Sequence, residues 1–130
     1  MIERRLVLDT NALIFLTTEG NIISSGLQDE INMSDLFISA ITEIELFAKP
    51  GLLPEEEKNL RLFLSDRIFV IDLTDSVKRE TIMLRRTTRL KLPDCIIAAS
   101  AIALNAVLLT ADTDLLRLDW PGYYKRNMTG

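Results

Sequence analysis

The sequence predicts an α/β domain built round a mostly parallel central sheet flanked by helices. Short apolar runs without polar alternation, such as Leu6-Val7-Leu8 and Val107-Leu108-Leu109, are what strands buried on both faces show. These runs alternate along the chain with segments that read as helices, the order that builds parallel sheets. A hydrophobic share of 48% in 130 residues is enough for a real core. That length suits one ordinary domain, so residues 1–130 are read as a single unit.

Leu6-Val7-Leu8 is the first expected strand. Asn11 to Thr18 reads as a helix ended near Gly20, and a second short helix is expected from Ile22 to Ile31. Leu36-Phe37-Ile38 is the next strand. Ser39 stands where it can cap a helix from about Ala40 to Ala48, which Pro50-Gly51 stops. Pro54 followed by Glu55, Glu56 and Glu57 opens another helix, with proline in the first turn and acids at the positive end of the dipole. Ile68-Phe69-Val70-Ile71 is β-branched and aromatic, hence a strand. Thr74 or Asp75 caps a helix reaching about Thr88, and Pro93 opens an apolar helix ending near Asn105. Val107-Leu108-Leu109 is the fourth strand. Past Leu116 the chain matches a final strand poorly, because Pro121-Gly122 marks a turn there.

Composition excludes several chemistries. There is no histidine, so hydrolases with a His base, histidine-ligated zinc sites and histidine-based ribonucleases are ruled out. The single cysteine, Cys95, permits no intramolecular disulfide and suits a reducing, cytoplasmic setting. The most apolar run, Cys95 to Leu104, is half the roughly 20 residues a membrane span needs, so a buried helix and no membrane association are expected. The first residues do not resemble a signal peptide. The net charge of −4 is unlike most nucleic-acid binders, but Lys78 to Lys91 holds six basic residues against one acid, leaving −9 on the rest. That segment is either a local attraction for a polyanion or a solvated helix face.

Four acids occupy special places. Asp9 follows the first strand, Glu45 lies in the helix after the second, Asp94 is in the first turn of the apolar helix, and Asp112 lies just past the fourth strand. Ligand sites in open parallel sheets form beyond the carboxyl ends of strands. Carboxylates gathered there repel one another unless a cation neutralises them, and an all-oxygen donor set suits Mg²⁺ or Mn²⁺. Such ions activate water and stabilise the leaving oxygen of a phosphodiester. Each acid also has a purely structural reading: Asp9 as a helix cap, Asp94 as a first-turn acid, Asp112 and Asp114 as turn residues. Glu45 borders a face that Ile41, Ile44, Ala48 and Phe47 mark as buried, while Glu43 is expected in solvent.

In order, Leu8-Asp9-Thr10-Asn11-Ala12-Leu13, Ser39-Ala40-Ile41-Thr42-Glu43-Ile44-Glu45-Leu46, Leu92-Pro93-Asp94-Cys95 with the small residues after it, and Leu108-Leu109-Thr110-Ala111-Asp112-Thr113-Asp114-Leu115 resemble the four motifs of the PIN domain, and within it the VapC-type toxins. The resemblance covers roughly residues 5 to 118. It implies a PIN-like three-layer fold and a metal-dependent endoribonuclease cutting single-stranded RNA. It implies catalytic and metal-binding roles for Asp9, Glu45, Asp94 and Asp112, with Mg²⁺ or Mn²⁺ as cofactor. Asn11 would orient Asp9, and Thr110 would support the site near Asp112. Partners would be an RNA substrate, a second copy in a homodimer, and a protein antitoxin. Phe15, Ile22, Ile23 and Leu27 form either a groove for that antitoxin or ordinary core. Two other functions compete. An aspartate-nucleophile phosphatase wants an acid at position 11, where the chain has Asn. A non-catalytic PIN-like module binding RNA or protein would have no need of so costly a cluster of acids.

Overall fold

A computed structural model describes residues 4–18 and 20–129. Within them the chain forms β1 (Arg5–Leu8), α1 (Thr10–Thr17), α2 (Ser25–Asn32), β2 (Asp35–Ser39), α3 (Ala40–Phe47), α4 (Pro54–Arg67), β3 (Ile68–Ile71), α5 (Asp75–Thr87), α6 (Leu92–Leu104), β4 (Val107–Thr110), α7 (Thr113–Arg117) and β5 (Tyr124–Asn127). The five strands make one sheet in the order β3-β2-β1-β4-β5, and every neighbouring pair is parallel. Helices cover both faces, giving the three layers expected.

Alternation along the strands divides the apolar residues between two cores. Val7 and Leu108 face a core shared with α5, α6 and α7, through Val77, Leu84, Ala98 and Leu115. Leu6, Leu8, Ile38 and Leu109 face the other, shared with α1, α2 and α4 through Leu13, Leu27 and Leu64. Small residues let α6 lie close: Cys95, Ala98, Ala99, Ser100 and Ala101 are all fully buried. The Ser100 hydroxyl is satisfied locally by donating to the Ile96 carbonyl at 2.7 Å. No helix of the described residues is long and apolar enough to cross a membrane.

Three expectations are corrected. The second helix starts at Ser25, not Ile22, because the Ser24 hydroxyl accepts from the Leu27 amide and caps it. Ile22 is left 91% exposed, while Leu27 is core and Phe15 and Ile23 pack against it, so these four do not form one exposed groove. A fifth strand exists: the turn at Gly122 (φ 78°), with Tyr123 N donating to Trp120 O at 3.1 Å, precedes β5 rather than preventing it. On α3 the buried residues are Thr42 and Leu46, while Ile44 is 60% exposed, Ala48 is exposed and Glu43 is only partly so. That face turns inward because Thr42 lies 3.1 Å, oxygen to oxygen, from the Thr10 hydroxyl.

Candidate functional site

The chain lays down β1, β2 and β3 outward in one direction, then returns to set β4 on the other side of β1. Strand order therefore reverses between β1 and β4, and the crevice beyond their carboxyl ends is where open parallel sheets bind ligands. Asp9 is the first residue after β1 and Asp112 the second after β4. Asp94 reaches the same edge from the first turn of α6, and Glu45 from α3, which follows β2.

Asp9 is 4% exposed. One carboxylate oxygen accepts from the Ala12 amide at 2.7 Å, capping α1, and the other accepts from the Thr110 hydroxyl. The register that pairs Leu8 with Leu109 puts Thr110 beside Asp9. The Thr110 oxygen in turn accepts from the Asp112 amide at 3.0 Å, so one buried hydroxyl joins the two acid-bearing strand ends. Asp112 caps α7, its Oδ1 accepting from the amides of Asp114 and Leu115. The cap reading and the site reading of Asp9 and Asp112 are thus compatible, since a carboxylate has about four lone-pair positions and each cap uses only some of them. Glu45 is exposed, and Thr10 donates to its Oε1 at 2.8 Å.

Electrostatics tie the four acids together. Burial raises the Asp94 carboxyl above its ordinary value, the charges of Asp112, Asp9 and Glu45 raise it further, and Lys91 opposes them. Burial also raises Asp9, against the hydrogen bonds from Thr110 and Ala12, and Asp112 adds to the rise. The buried Tyr123 hydroxyl, which donates to the Leu115 carbonyl at 2.7 Å, is pushed up by burial and then by Asp9, Asp112 and Asp94. Among the described residues no three acids are drawn together tightly enough to share one ion. The donor chemistry, oxygen throughout and rich in negative charge, fits a hard divalent cation.

Raised carboxyls make a pH prediction. The folded chain holds protons on Asp9 and Asp94 that an unfolded chain releases near the ordinary value of 3.8. Their stabilising contribution is complete below that value and is lost as pH rises through the raised ones. In chelator, the share of stability due to these two groups should therefore fall as pH rises above about 4. Added Mn²⁺ should raise the melting temperature more at pH 7 than at pH 5, because protons compete with the metal. Thermal melts at both pH values, with and without Mn²⁺, check this; an equal gain at both would count against these acids as the metal site.

Sequence reasoning missed two participants. Thr10, the neighbour of Asp9, holds Glu45, and the Ala12 amide holds Asp9 beside the expected Thr110 hydroxyl, which donates to Asp9 as well as bonding the Asp112 amide. Asn11, given that orienting role by resemblance, is exposed and makes no side-chain hydrogen bond among the described residues. Thr10 and Glu45 also line a cleft of about 740 Å³ between α1, α3 and α4, with Ile14, Lys49, Leu52 and Phe63. The three aspartates do not line it. The cleft therefore abuts the acidic centre and is not the centre itself.

A model of the PIN domain matches residues 6–121, and the chain belongs to that family. Among solved structures it is similar to a chain of the Klebsiella pneumoniae toxin–antitoxin complex, at 26% identity over 91% of this chain and 94% of that one, with a TM-score of 0.71. It is also similar to a chain of VapBC2 from Rickettsia felis, bound to a DNA fragment from their promoter (24%, 95% and 98%, TM-score 0.72). A third is DNA-bound VapBC from Salmonella typhimurium (23%, 95% and 97%, TM-score 0.72). Among curated proteins none matches the sequence.

Proposed function

We infer that this chain is a metal-dependent endoribonuclease hydrolysing single-stranded RNA, and the toxin of a toxin–antitoxin pair. The observation that carries the reading is geometric and electrostatic. Thr110 joins Asp9 to Asp112 at the point where the strand order reverses, and the charges of Asp112, Asp9 and Glu45 all push the Asp94 carboxyl upward there. A cluster of this kind costs stability in a protein that only binds, which weighs against the non-catalytic module.

Asp9, Asp94 and Asp112 would hold Mg²⁺ or Mn²⁺, with Glu45 at the border. The ion, when bound, supplies charge neutralisation and an activated water for attack on a phosphodiester. The chain's own part is positioning. Thr110 fixes Asp9 and the backbone of Asp112 together, α7 orients the Asp112 carboxylate, and Thr10 restrains Glu45. The antitoxin part of the reading is supported by the solved relatives, described as VapBC and as a toxin–antitoxin complex. The large cleft, with Ile14, Leu52 and Phe63 along it and Glu45 at its rim, suits an amphipathic segment of such a partner. A homodimer would bury exposed apolar side chains such as Phe69, Ile82 and Met83.

The test is cleavage of a single-stranded RNA by the purified chain. Cuts are expected with Mg²⁺ or Mn²⁺ and none after chelation. Intact RNA in the presence of metal would return the reading to the non-catalytic module, and chelator-insensitive cleavage would remove the metal.

A further inference from the structure

An acidic centre in a chain of net charge −4 repels the polyanion it is meant to cut. Fixed cations must offset that repulsion near the cut, and the described residues gather a set of them on one side. Arg89 and Arg117 line a cleft of about 250 Å³ between the α5–α6 turn and α7, together with Thr88, Leu90, Leu118 and the Asp114 carboxylate. Lys91, two residues on, stands at the N-cap of α6, whose first turn carries Asp94, and Arg85 and Arg86 stand in the last turn of α5. All five of Arg85, Arg86, Arg89, Lys91 and Arg117 reach solvent, and none is in an ion pair among the described residues. Elsewhere Arg61 pairs with Glu57, Lys78 with Asp75, and Arg4 and Arg126 with Glu30.

The cleft is also tied to the acids by the backbone. Asp112 caps α7 and Arg117 ends it, so the two are five residue steps apart, roughly 8 Å along the helix at 1.5 Å per step. Arg89 precedes the start of α6, and Asp94 lies in that helix's first turn. Both cations lie on the side of the sheet opposite the 740 Å³ cleft, whose helix α4 packs on the other core, and on segments that also carry Asp94 and Asp112.

We propose that the Arg89–Arg117 cleft is a phosphate subsite that grips the RNA backbone beside the scissile bond, Lys91 bridging it to Asp94. Arginine suits this because its planar fork donates two hydrogen bonds to one phosphate. Such a contact carries no sequence information; it sets affinity and register. Asp114 reduces the local charge and keeps the grip weak enough for product to leave.

The inference rests on the ribonuclease reading, and the experiment separates the two. Binding of a single-stranded RNA oligonucleotide to the Asp9→Asn chain is measured by anisotropy over a series of salt concentrations, with and without Arg89→Gln and Arg117→Gln. The slope of log K against log salt should flatten by about 0.7 in the double variant, the loss of one phosphate contact. In the otherwise parental chain the same double variant should raise KM several-fold with kcat little changed. Lys58→Gln, on α4, should alter neither. A parent that cleaves RNA, joined to a double variant with unchanged slope and KM, overturns the subsite and leaves the nuclease standing. A parent that neither binds nor cleaves RNA overturns both. Both side chains are exposed, and an unchanged melting temperature shows that the variants fold.

Discussion

Replacing Asp9 with Asn is expected to lower RNA cleavage by about 10²–10³-fold without unfolding the chain. That factor corresponds to losing several kcal/mol of metal-supplied stabilisation of the transition state. The amide keeps an oxygen for the Ala12 amide, and Asn caps helices about as well as Asp. It removes a negative charge from a buried position whose carboxyl burial and Asp112 push upward. The variant should therefore melt at or above the parental temperature in chelator and gain less from Mn²⁺. Asp9→Ala makes the contrast, because it also deletes the cap, costing about 1 kcal/mol. Cleavage rates and melts for the three proteins distinguish a metal ligand from a mere cap: Asp9→Asn cleaving at the parental rate would show the carboxylate to be structural only.

Thr110→Val should cost about 1–3 kcal/mol in stability and about 10–100-fold in cleavage. The side chain is fully buried, and valine fills its space without its hydroxyl. The Asp112 amide then lacks an acceptor, and Asp9 keeps the Ala12 amide but loses its second donor. Because that hydrogen bond holds the Asp9 carboxyl down, its loss should move the acid limb of the pH–rate profile to higher pH. Thr110→Ser, which keeps the hydroxyl, should restore most of the rate and return the limb. A Val variant with lowered stability but a parental pH profile would leave Thr110 a packing residue alone.

What the sequence made legible was local. Ile68–Ile71 is a strand to the residue, because four β-branched or aromatic residues lie between a helix end and a turn. Pro54 and Pro93 mark the first turns of α4 and α6, since proline fits there and not deeper. The acids stood out because strand ends and helix starts can be read from punctuation. Pairing across the sheet was not legible. Tyr124-Lys125-Arg126-Asn127 has no apolar alternation and becomes a strand only because β4 offers it a ladder, with Lys125 donating to Leu118 O and Arg126 pairing with Glu30. The orientation of α3 also eluded the pattern. Ile44 is more apolar than Thr42, yet Thr42 is buried because it meets a hydroxyl from a helix 32 positions earlier. Thr110 shows the same limit: its partner Asp9 lies 101 positions away.

That last separation bears on how the molecule comes into being. Central β1 gains its β2 neighbour about 30 residues later but waits for β4 until most of the chain exists. Joining ends so distant carries a loop-closure entropy of roughly 4 kcal/mol, recovered only when the final contacts form. Parallel sheets with distant neighbours fold slowly for this reason. During synthesis the acidic crevice cannot close before Thr110 and Asp112 have left the ribosome. An interrupted chain ending ahead of Val107 would thus carry Asp9, Glu45 and Asp94 without the strand that sets them beside one another.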